Sequence, residues 1–446
     1  MGELQPAQEK KTGEKPKRVW VKRVIAVSVG LGIATLSFLG GFFTRQWTLD
    51  EDLQTITDVK NRVQQSYYKE ITDEQFYDAL LDGLSTHLLD PYSTYMNKEE
   101  TAEYKAHGAG KYEGVGLAFL SSAKGAESLK IMRVAGNSPA ENAGIVAGRY
   151  VVGVSAKDEE MQPVAEYNVF INQILTFESG TEFYLYTRKN LADTQMQKHL
   201  VKRASYTENY VYYRSSTDAY RFTGDNSAEA NAWGDALTAL PEHTAYIRLT
   251  QFNGNANKAF DSAMSIFKQD GKKNLVLDLR GNGGGYLDIM CDIAKYFCKT
   301  ATEKKPVVAY AQYSDKREPY KATGNVYSEY FADDSKIYVL ADSSSASASE
   351  CLLGVMIDYG ATAYENICLS KRDGVAKTYG KGIMQVTFVL SLLRGDTMKL
   401  TTAKILWPSL NCIHDRGILL EDGTKTVDEQ PYEDAEIIDA LQQFGL

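Results

Sequence analysis

The stretch of this 446-residue chain with the clearest potential for chemistry is ADSSSASASECLLGVMIDYG, residues 341–360. Six of the eight residues from Ser343 to Glu350 are serine or glutamate, and an apolar, strand-like run precedes them. A serine in a turn before a helix presents its hydroxyl where backbone N–H groups stabilise developing negative charge. Serines are also common N-caps, so the stretch by itself favours helix capping over catalysis.

A base for such a serine need not be histidine, because the chain has only five histidines and none lies close to this stretch. The segment TYGKGIMQV places Lys381 between two glycines, with Gln385 four residues later. Burial lowers the pKa of a lysine from about 10.4 by up to several units, and the neutral amine can then accept a serine proton. A glutamine can hold that amine without adding charge. A third segment, LDLRGNGGGYLD, offers backbone N–H groups free of side chains, as an oxyanion hole requires.

The elements that must position these residues alternate between strands and helices over residues 206–446. TAYIRLTQF, NLVLDLRGNGGG and KIYVLADSSSASASE are predicted strands entering turns, and AFDSAMSIFKQDG and YLDIMCDIAKYF are predicted helices. This alternation predicts a mixed α/β core. Sites in such sheets form at the carboxyl ends of strands, where the glycine and serine turns both fall.

Residues 109–205 have a different texture of short strands and glycine turns, and they resemble a PDZ domain. The loop Gly114-Val115-Gly116-Leu117 matches the carboxylate-binding loop of that domain, and SPAENAGIVAGRYVVGV matches its short helix and following strand. Such a loop binds a terminal carboxylate through backbone N–H groups, and the neighbouring strand edge accepts an extended peptide. The alternative is a glycine-rich hairpin that binds no ligand.

The N-terminal part combines a basic segment, an apolar span and helices. Residues 1–23 carry a net charge of +4 and are predicted to be a cytoplasmic tail. Residues 24–43 are twenty residues without a charge, long enough for a single transmembrane anchor. A cleaved signal peptide is the alternative, but the following GGFFTRQW offers no small-residue cleavage site. Residues 46–108 are predicted to be a helical module, with Thr72 and Gln75 as the capping pair of its second helix.

Composition excludes several functions. The net charge of −9 leaves −13 on the chain beyond residue 23, which argues against nucleic acid as a partner. The five cysteines have no paired or zinc-finger spacing, so we predict buried thiols, with no metal and no other cofactor. The sequence does not predict an oligomeric state.

Taken together, residues 50–446 resemble the C-terminal processing peptidases, also called tail-specific proteases. The segments that carry the resemblance are LDPYSTYM, the PDZ-like stretch, LVLDLRGNGGGYLD, SSASASECLLGVMIDYG, TYGKGIMQV and MKLTTAKILWPSLNCIHDRGI. The resemblance implies a Ser/Lys peptidase with an inserted PDZ domain. Its nucleophile would be Ser347, its base Lys381 and the residue orienting that base Gln385, with an oxyanion hole from Ala348 and Gly284.

The implied function is a membrane-anchored endopeptidase at the cell membrane, with its body outside the cytoplasm, that recognises the C-terminal tails of exported proteins. Two alternatives remain open at this point: a catalytically silent PDZ scaffold that binds tails, and a non-peptidase acyl hydrolase with the same dyad. The chain also departs from the family, because the interval between Ser347 and Lys381 is longer. The added ENICLSKRDGVA brings Lys371 and Arg372, and Lys377 follows it. Lys371 is therefore a rival for the base, although it lacks the flanking glycines and the glutamine.

Overall fold

The computed structural model describes residues 51–119, 124–222, 228–230, 236–372, 374–390, 394–430 and 433–446, together with residue 37. Its helices are α1 (Glu51–Ser66), α2 (Asp73–Leu88), α3 (Lys98–Gly108), α4 (Pro139–Asn142), α5 (Tyr167–Leu175), α6 (Ala256–Gln269), α7 (Leu287–Ala294), α8 (Tyr327–Tyr330), α9 (Ala348–Asp358) and α10 (Glu433–Phe444). Its strands are β1 (Thr94–Met96), β2 (Lys111–Gly114), β3 (Leu117–Phe119), β4 (Ile131–Val134), β5 (Tyr150–Ala156), β6 (Gln162–Pro163), β7 (Glu182–Arg188), β8 (Gln197–Lys202), β9 (Ala204–Thr207), β10 (Val211–Arg214), β11 (Ala219–Phe222), β12 (Ala228–Ala230), β13 (Thr244–Leu249), β14 (Asn274–Asp278), β15 (Val307–Gln312), β16 (Arg317–Lys321), β17 (Ile337–Asp342), β18 (Ile367–Ser370), β19 (Ile383–Val389), β20 (Thr397–Leu406) and β21 (Lys425–Val427). Contacts divide the chain into two units, Met1–Gly83 and Leu84–Leu446, and the second contains all the candidate site residues.

The described part of the first unit is helical, as predicted. Thr72 caps α2: its hydroxyl accepts a hydrogen bond from Gln75 N–H at 3.2 Å, and its own N–H donates to Gln75 Oε1 at 3.0 Å. This reciprocal pair is the capping box that the sequence predicts. Lys60 and Gln64 of α1 both donate to Asp73 Oδ1, at 3.1 and 2.8 Å, and these bonds fasten the first helix to the start of the second.

The predicted basic tail, residues 1–23, and the predicted span, residues 24–43, lie outside the described residues apart from residue 37. Within the ranges that the structure describes, no helix is long and apolar enough to cross a bilayer. The anchor remains a prediction from the sequence.

The large sheet of the second unit confirms the predicted mixed α/β architecture. Its described strands follow the order β12-β11-β10-β13-β14-β17-β18-β21. The strands from β13 to β21 in that order are parallel, and β10, β11 and β12 form an antiparallel ribbon at one edge. Helices connect the parallel strands, so α6 links β13 to β14 and packs on the sheet.

Helices cover both faces of this sheet. Leu275 and Leu277 of β14 belong to a buried cluster that includes side chains of α6, α7 and α9. Val276 lies on the opposite face and packs in a second cluster with Ile437 and Leu441 of α10. Every residue of β17 is buried, as expected for a parallel strand covered on both sides. The carboxyl ends of β14 and β17 therefore meet at one edge, and the two candidate turns follow them.

A second sheet carries the lysine segment. Its order is β1-β20-β15-β16, and β19, which begins two residues after Lys381, also pairs with β20. Residues 94–96, predicted to be part of the helical module 46–108, instead form β1 and pair antiparallel with residues 397–399 of β20. Pro91 ends the helical pattern, and the long strand β20 supplies a partner about 300 residues away that local patterns do not reveal.

Residues 111–207 form a group of short strands with its own hydrophobic cluster. The strand order is β6-β5-β7-β8, with the pairs β2–β9 and β3–β4 beside it. Ser138 caps α4 by accepting a hydrogen bond from Glu141 N–H at 3.2 Å, and Gly144 follows the helix with φ 71°, as the motif SPAENAG predicts. Because β2 and β9 pair with each other, the chain enters and leaves this group at neighbouring points.

Candidate active site

Ser347 lies in the turn between β17 and α9, in an unusual backbone conformation. Its φ is 57° and its ψ is −113°. A residue other than glycine pays about 1–3 kcal/mol for such a backbone, which persists only when its surroundings hold it. Ser347 N–H donates to Glu350 Oε2 at 3.0 Å, and Ala346 N–H donates to Asn282 O at 3.0 Å. Ser347 is partly exposed, while Ala346 and Ala348 on either side of it are buried.

The serines on either side of Ser347 have structural contacts. Ser345 Oγ donates to Leu279 O at 2.8 Å, and Ser349 Oγ donates to Asn282 O at 2.9 Å. Both hydroxyls are buried, and both bond to the segment after β14. They therefore fasten the serine turn to the glycine turn.

Lys381 lies in the loop before β19, and its side chain has a defined partner. Its Nζ donates to Gln385 Oε1 at 3.0 Å, while Gln385 Nε2 donates to the carbonyl oxygen of Tyr92. The ring centroid of Tyr92 lies 4.8 Å from Lys381 Nζ. The amine is thus held by an uncharged amide, which is the arrangement predicted for Lys381 and Gln385.

The glycines beside Lys381 are required by close packing. A Cβ at Gly382 would lie 2.8 Å from the backbone nitrogen of His414, and one at Gly380 would lie 3.0 Å from that of Gly417. Gly380 also has φ 90°. The Gly-Lys-Gly pattern therefore lets the segment 414–417 pack against the lysine loop without a side chain between them.

The surroundings of Lys381 favour its neutral form. Burial lowers the pKa of the amine, and the positive charge of Lys399 lowers it further, while Asp90 acts in the opposite direction. Burial also lowers the pKa of Lys399. A lowered pKa increases the fraction of Lys381 that can accept a proton near neutral pH.

Glu350 is a member of this site that the sequence analysis did not assign. It is fully buried in α9, and its Oε2 accepts hydrogen bonds from the N–H groups of Ser347 and Lys381, at 3.0 and 2.9 Å. Its Oε1 accepts from Gly380 N–H at 2.7 Å and from Thr378 Oγ1 at 2.6 Å. One carboxylate therefore joins the serine turn to the lysine loop.

The electrostatics of Glu350 follow from this position. Burial raises the pKa of its carboxyl, and the hydrogen bonds from Thr378, Gly380, Lys381 and Ser347 oppose that rise. A signal for this residue was present in the sequence: an acidic side chain three residues after a serine, at the start of an otherwise apolar helix.

The predicted oxyanion donors lie next to each other. A Cβ at Gly284 would lie 2.8 Å from Ser347 Cβ and 3.0 Å from Ala348 N, so the glycine turn touches the serine turn. Ala348 N–H has no hydrogen-bond acceptor in the described part of the chain. Gly284 N–H donates to Asn282 Oδ1 at 2.9 Å, so it must exchange that partner before it can bind a substrate oxygen.

The two candidate catalytic side chains are not joined directly. Within the described ranges, Lys381 Nζ bonds to Gln385, and Ser347 Oγ has no hydrogen bond to Lys381. Catalytic hydrogen bonds are often long in enzymes without substrate and shorten when substrate binds. Their backbones are nevertheless coupled through the carboxylate of Glu350.

The predicted peptide-binding loop has an open donor edge. Gly114 and Gly116 have φ values of 145° and 84°, and Val115 is buried. The carbonyl oxygens of Val115 and Gly116 accept hydrogen bonds from Ala140 and Ala135. The N–H groups of Val115 and Gly116 have no acceptor among the described residues, so the loop can donate to a ligand. Leu117 begins β3, which pairs with β4.

Four of the five cysteines are buried, as predicted, but Cys412 is exposed, two residues before the segment 414–417. Burial raises the pKa of the thiols of Cys291, Cys298, Cys351 and Cys368, which makes them poor nucleophiles. In the part of the chain that the structure describes, no cluster of His, Cys, Asp and Glu side chains could hold a metal ion.

Known protein families match two parts of the chain. Residues 243–421, which include the serine turn, the glycine turn and the lysine loop, match peptidase family S41. Residues 43–100 match the N-terminal domain of the activating protease CtpB. A putative S41 protease from Bacteroides fragilis has a similar fold, with a TM-score of 0.52 and 16% sequence identity over 85% of this chain and 91% of that one.

Curated relatives match over most of the chain. A probable CtpA-like serine protease of Staphylococcus saprophyticus is 27% identical over 429 residues, which cover 96% of this chain and 75% of that protein. A probable CtpA-like serine protease of Staphylococcus aureus is 25% identical over 439 residues, covering 96% of this chain and 77% of that protein. These matches confirm the predicted enzyme class: residues 243–421 match peptidase family S41, the chain is similar to CtpA-like serine proteases, and it is a serine-type peptidase.

Proposed function

We propose that this peptidase is a membrane-anchored C-terminal processing endopeptidase with Ser347 as nucleophile and Lys381 as general base. The observation that carries the proposal is the environment of the lysine. Its amine is held by the uncharged amide of Gln385, its pKa is lowered by burial, and its loop is bonded through Glu350 to the turn of Ser347. A peptidase with this arrangement needs no histidine at its nucleophile.

In the proposed reaction, Lys381 removes the proton from Ser347 Oγ as that oxygen attacks the carbonyl carbon of the scissile peptide bond. Negative charge develops on the former carbonyl oxygen, and the N–H of Ala348 stabilises it at the start of α9. The lysine ammonium then protonates the leaving amine. Water, activated by the same amine, hydrolyses the ester that remains on Ser347.

Substrate binding has two tasks in this mechanism. It brings Ser347 Oγ and Lys381 Nζ into hydrogen-bond contact, and it replaces Asn282 Oδ1 as the acceptor of Gly284 N–H. The first change moves two side chains whose backbones Glu350 already holds together. The predicted second oxyanion donor, Gly284, thus becomes available only with substrate present.

We also propose that residues 109–205 are a PDZ domain that binds the C-terminal end of the substrate. The unbonded N–H groups of Val115 and Gly116 support this, because a nest of such donors suits a terminal carboxylate. Backbone recognition of this kind tolerates many sequences. The uncharged residues 24–43 support the remaining part of the proposal, an anchor in the cell membrane with the peptidase on its outer side.

The decisive experiment digests an unstructured protein that carries either a free or an amidated C-terminus, using the wild-type enzyme and Ser347→Ala. The wild type is expected to cut the free-tailed protein faster, and Ser347→Ala is expected to cut neither. Cleavage by Ser347→Ala at the wild-type rate would refute the assigned nucleophile. Equal wild-type rates on both substrates would refute tail recognition and leave the chemistry standing.

A further inference from the structure

The last helix, α10, contributes a carboxylate to a buried ion network beside the candidate site. Glu436 Oε1 accepts a hydrogen bond from Arg280 Nη1 at 2.6 Å. The two carboxylate oxygens of Glu436 also accept from Arg372 Nη1 and Nη2, at 2.9 and 3.0 Å. Glu436 is 3% exposed and Arg280 is 4% exposed. A single buried carboxylate therefore faces two guanidinium groups from two separate loops.

The first guanidinium, that of Arg280, lies at the start of the glycine turn. Arg280 directly precedes Gly281, the first residue of that turn. Its Nε donates to both oxygens of Asp278, at 2.9 and 3.0 Å, and its backbone N–H donates to Asp278 Oδ1 at 2.9 Å. Glu436 holds the other side of the same guanidinium. The start of the glycine turn is thus fixed between two carboxylates.

The second guanidinium, that of Arg372, is linked to both turns through Asp342. Arg372 Nε donates to Asp342 Oδ2 at 3.2 Å. Asp342 Oδ1 in turn accepts hydrogen bonds from the N–H groups of Gly281 and Ser344, each at 3.0 Å. The chain of hydrogen bonds that begins at Glu436 of α10 therefore ends on backbone groups of the glycine turn and the serine turn.

The charges in this network depend on one another. Burial opposes ionisation of Glu436, but Arg280 and Arg372 outweigh it and lower the pKa of that carboxyl to about 2. Burial and repulsion from Arg280 act to lower the pKa of Arg372, but the hydrogen bonds and negative charge of Glu436, together with Asp342, outweigh them and raise it. Loss of the Glu436 carboxylate would leave Arg280 with Asp278 and Arg372 with Asp342, and would remove the negative charge that separates the two guanidinium groups.

We propose that Glu436 is a positioning residue for peptide hydrolysis: it holds the glycine turn and the serine turn in the mutual arrangement that oxyanion stabilisation needs. This inference rests on the proposed function. The helix α10 is then part of the catalytic assembly, although none of its residues touches the substrate. A neighbouring carboxylate on the same helix supplies a contrast, since Asp434 pairs with Arg214 of β10, at 2.6 and 3.0 Å, and not with either turn.

The test compares Glu436→Gln with Asp434→Asn in the full chain, because each removes one carboxylate of α10 that pairs with arginine. The measurements are kcat and KM on a peptide, the affinity for a peptide aldehyde, and the melting temperature. A peptide aldehyde forms a tetrahedral adduct with a serine and so reports on the oxyanion donors. Glu436→Gln is expected to lower kcat about 100-fold with little change in KM, and to weaken aldehyde binding in parallel. Asp434→Asn is expected to keep the wild-type kcat.

Three outcomes decide the matter. The proposal would be overturned if folded Glu436→Gln kept the wild-type kcat and the wild-type aldehyde affinity. It would also be overturned if Asp434→Asn lost as much kcat as Glu436→Gln, because that result would indicate that both carboxylates only dock the helix α10. If Glu436→Gln does not fold, the double variant Glu436→Gln/Arg372→Met is measured in its place, because it also removes one of the two positive charges that face each other. That double variant is expected to fold with a low kcat, because the route to Asp342 is missing, and a wild-type kcat would overturn the proposal. Undiminished activity of Ser347→Ala would instead refute the proposed nucleophile.

Discussion

Glu350 accepts a hydrogen bond from the backbone N–H of Lys381 at 2.9 Å. The same oxygen accepts the N–H of Ser347 at 3.0 Å, so one atom spans the two candidate catalytic residues. The link runs through their backbones and engages neither side chain. The spacing between the proposed nucleophile and base therefore depends on a buried carboxylate that takes no proton from the substrate.

Replacing Glu350 by glutamine tests this dependence. The amide keeps the shape but turns one accepting oxygen into a donor, which then faces other donors. We expect kcat to fall about 100-fold, since a displacement of about 1 Å has that effect, and the free energy of unfolding to fall by about 1–3 kcal/mol. Steady-state kinetics and denaturant unfolding measure the two effects. Glu365→Gln, at an exposed carboxylate, is the matched control, and wild-type behaviour of both variants would contradict the role of Glu350.

The choice of base is tested by three alanine substitutions. Lys371 Nζ bonds to the exposed Asp428 at 2.7 Å, which gives that lysine a place at the surface. We expect Lys381→Ala to be as inactive as Ser347→Ala, because members of a catalytic unit are not additive. Lys371→Ala and Lys377→Ala should retain the wild-type kcat. An active Lys381→Ala beside an inactive Lys371→Ala would reverse the assignment.

The pH dependence of the rate tests the electrostatics of Lys381. Because only the neutral amine can accept the serine proton, kcat/KM should rise as pH increases and level off below the usual lysine pKa of about 10.4. Lys399 lowers the pKa of Lys381 by repulsion, so Lys399→Met should raise that pKa and move the rising limb to higher pH. Lys404→Met, at an exposed lysine of the same strand, is the control. If Lys399→Met left the pH profile of kcat/KM unchanged, repulsion from Lys399 would not contribute to the lowered pKa of Lys381.

The proposed anchor is tested on cells. A protease added to spheroplasts of cells that express the full chain should degrade the peptidase body, because the positive charge before residue 24 keeps only the N-terminal tail inside. An epitope at the N-terminus should survive the same treatment until the membrane is dissolved. Complete protection of the body in intact spheroplasts would refute the proposed topology.

Local patterns in the sequence were sufficient for several parts of the fold and site. The capping pair of Thr72 and Gln75 was confirmed because the two residues are only three positions apart. The mixed α/β core was confirmed because its strands and helices have distinct periodicities. The partnership of Lys381 with Gln385 also spans only four positions.

The parts that sequence reasoning missed involve long separations. Glu350 bonds to residues about 30 positions away, and Glu436 bonds to Arg280 across 156 positions. The strand β1 has its partner about 300 residues later. A buried carboxylate in a sequence looks like any other acidic residue until the fold supplies its partners. The engagement of Gly284 N–H by Asn282 was missed for another reason, since a glycine-rich segment does not reveal which donors remain free.

The left-handed φ of Ser347 also limits how this enzyme can evolve greater stability. Glycine adopts such a backbone most readily, but glycine has no hydroxyl. With Ser347 as the proposed nucleophile, a local penalty of about 1–3 kcal/mol lies at a position where the replacement that would remove it would also abolish activity. Variants with a more stable fold must gain that stability elsewhere, and a homologue that had lost its chemistry would be free to relax this turn.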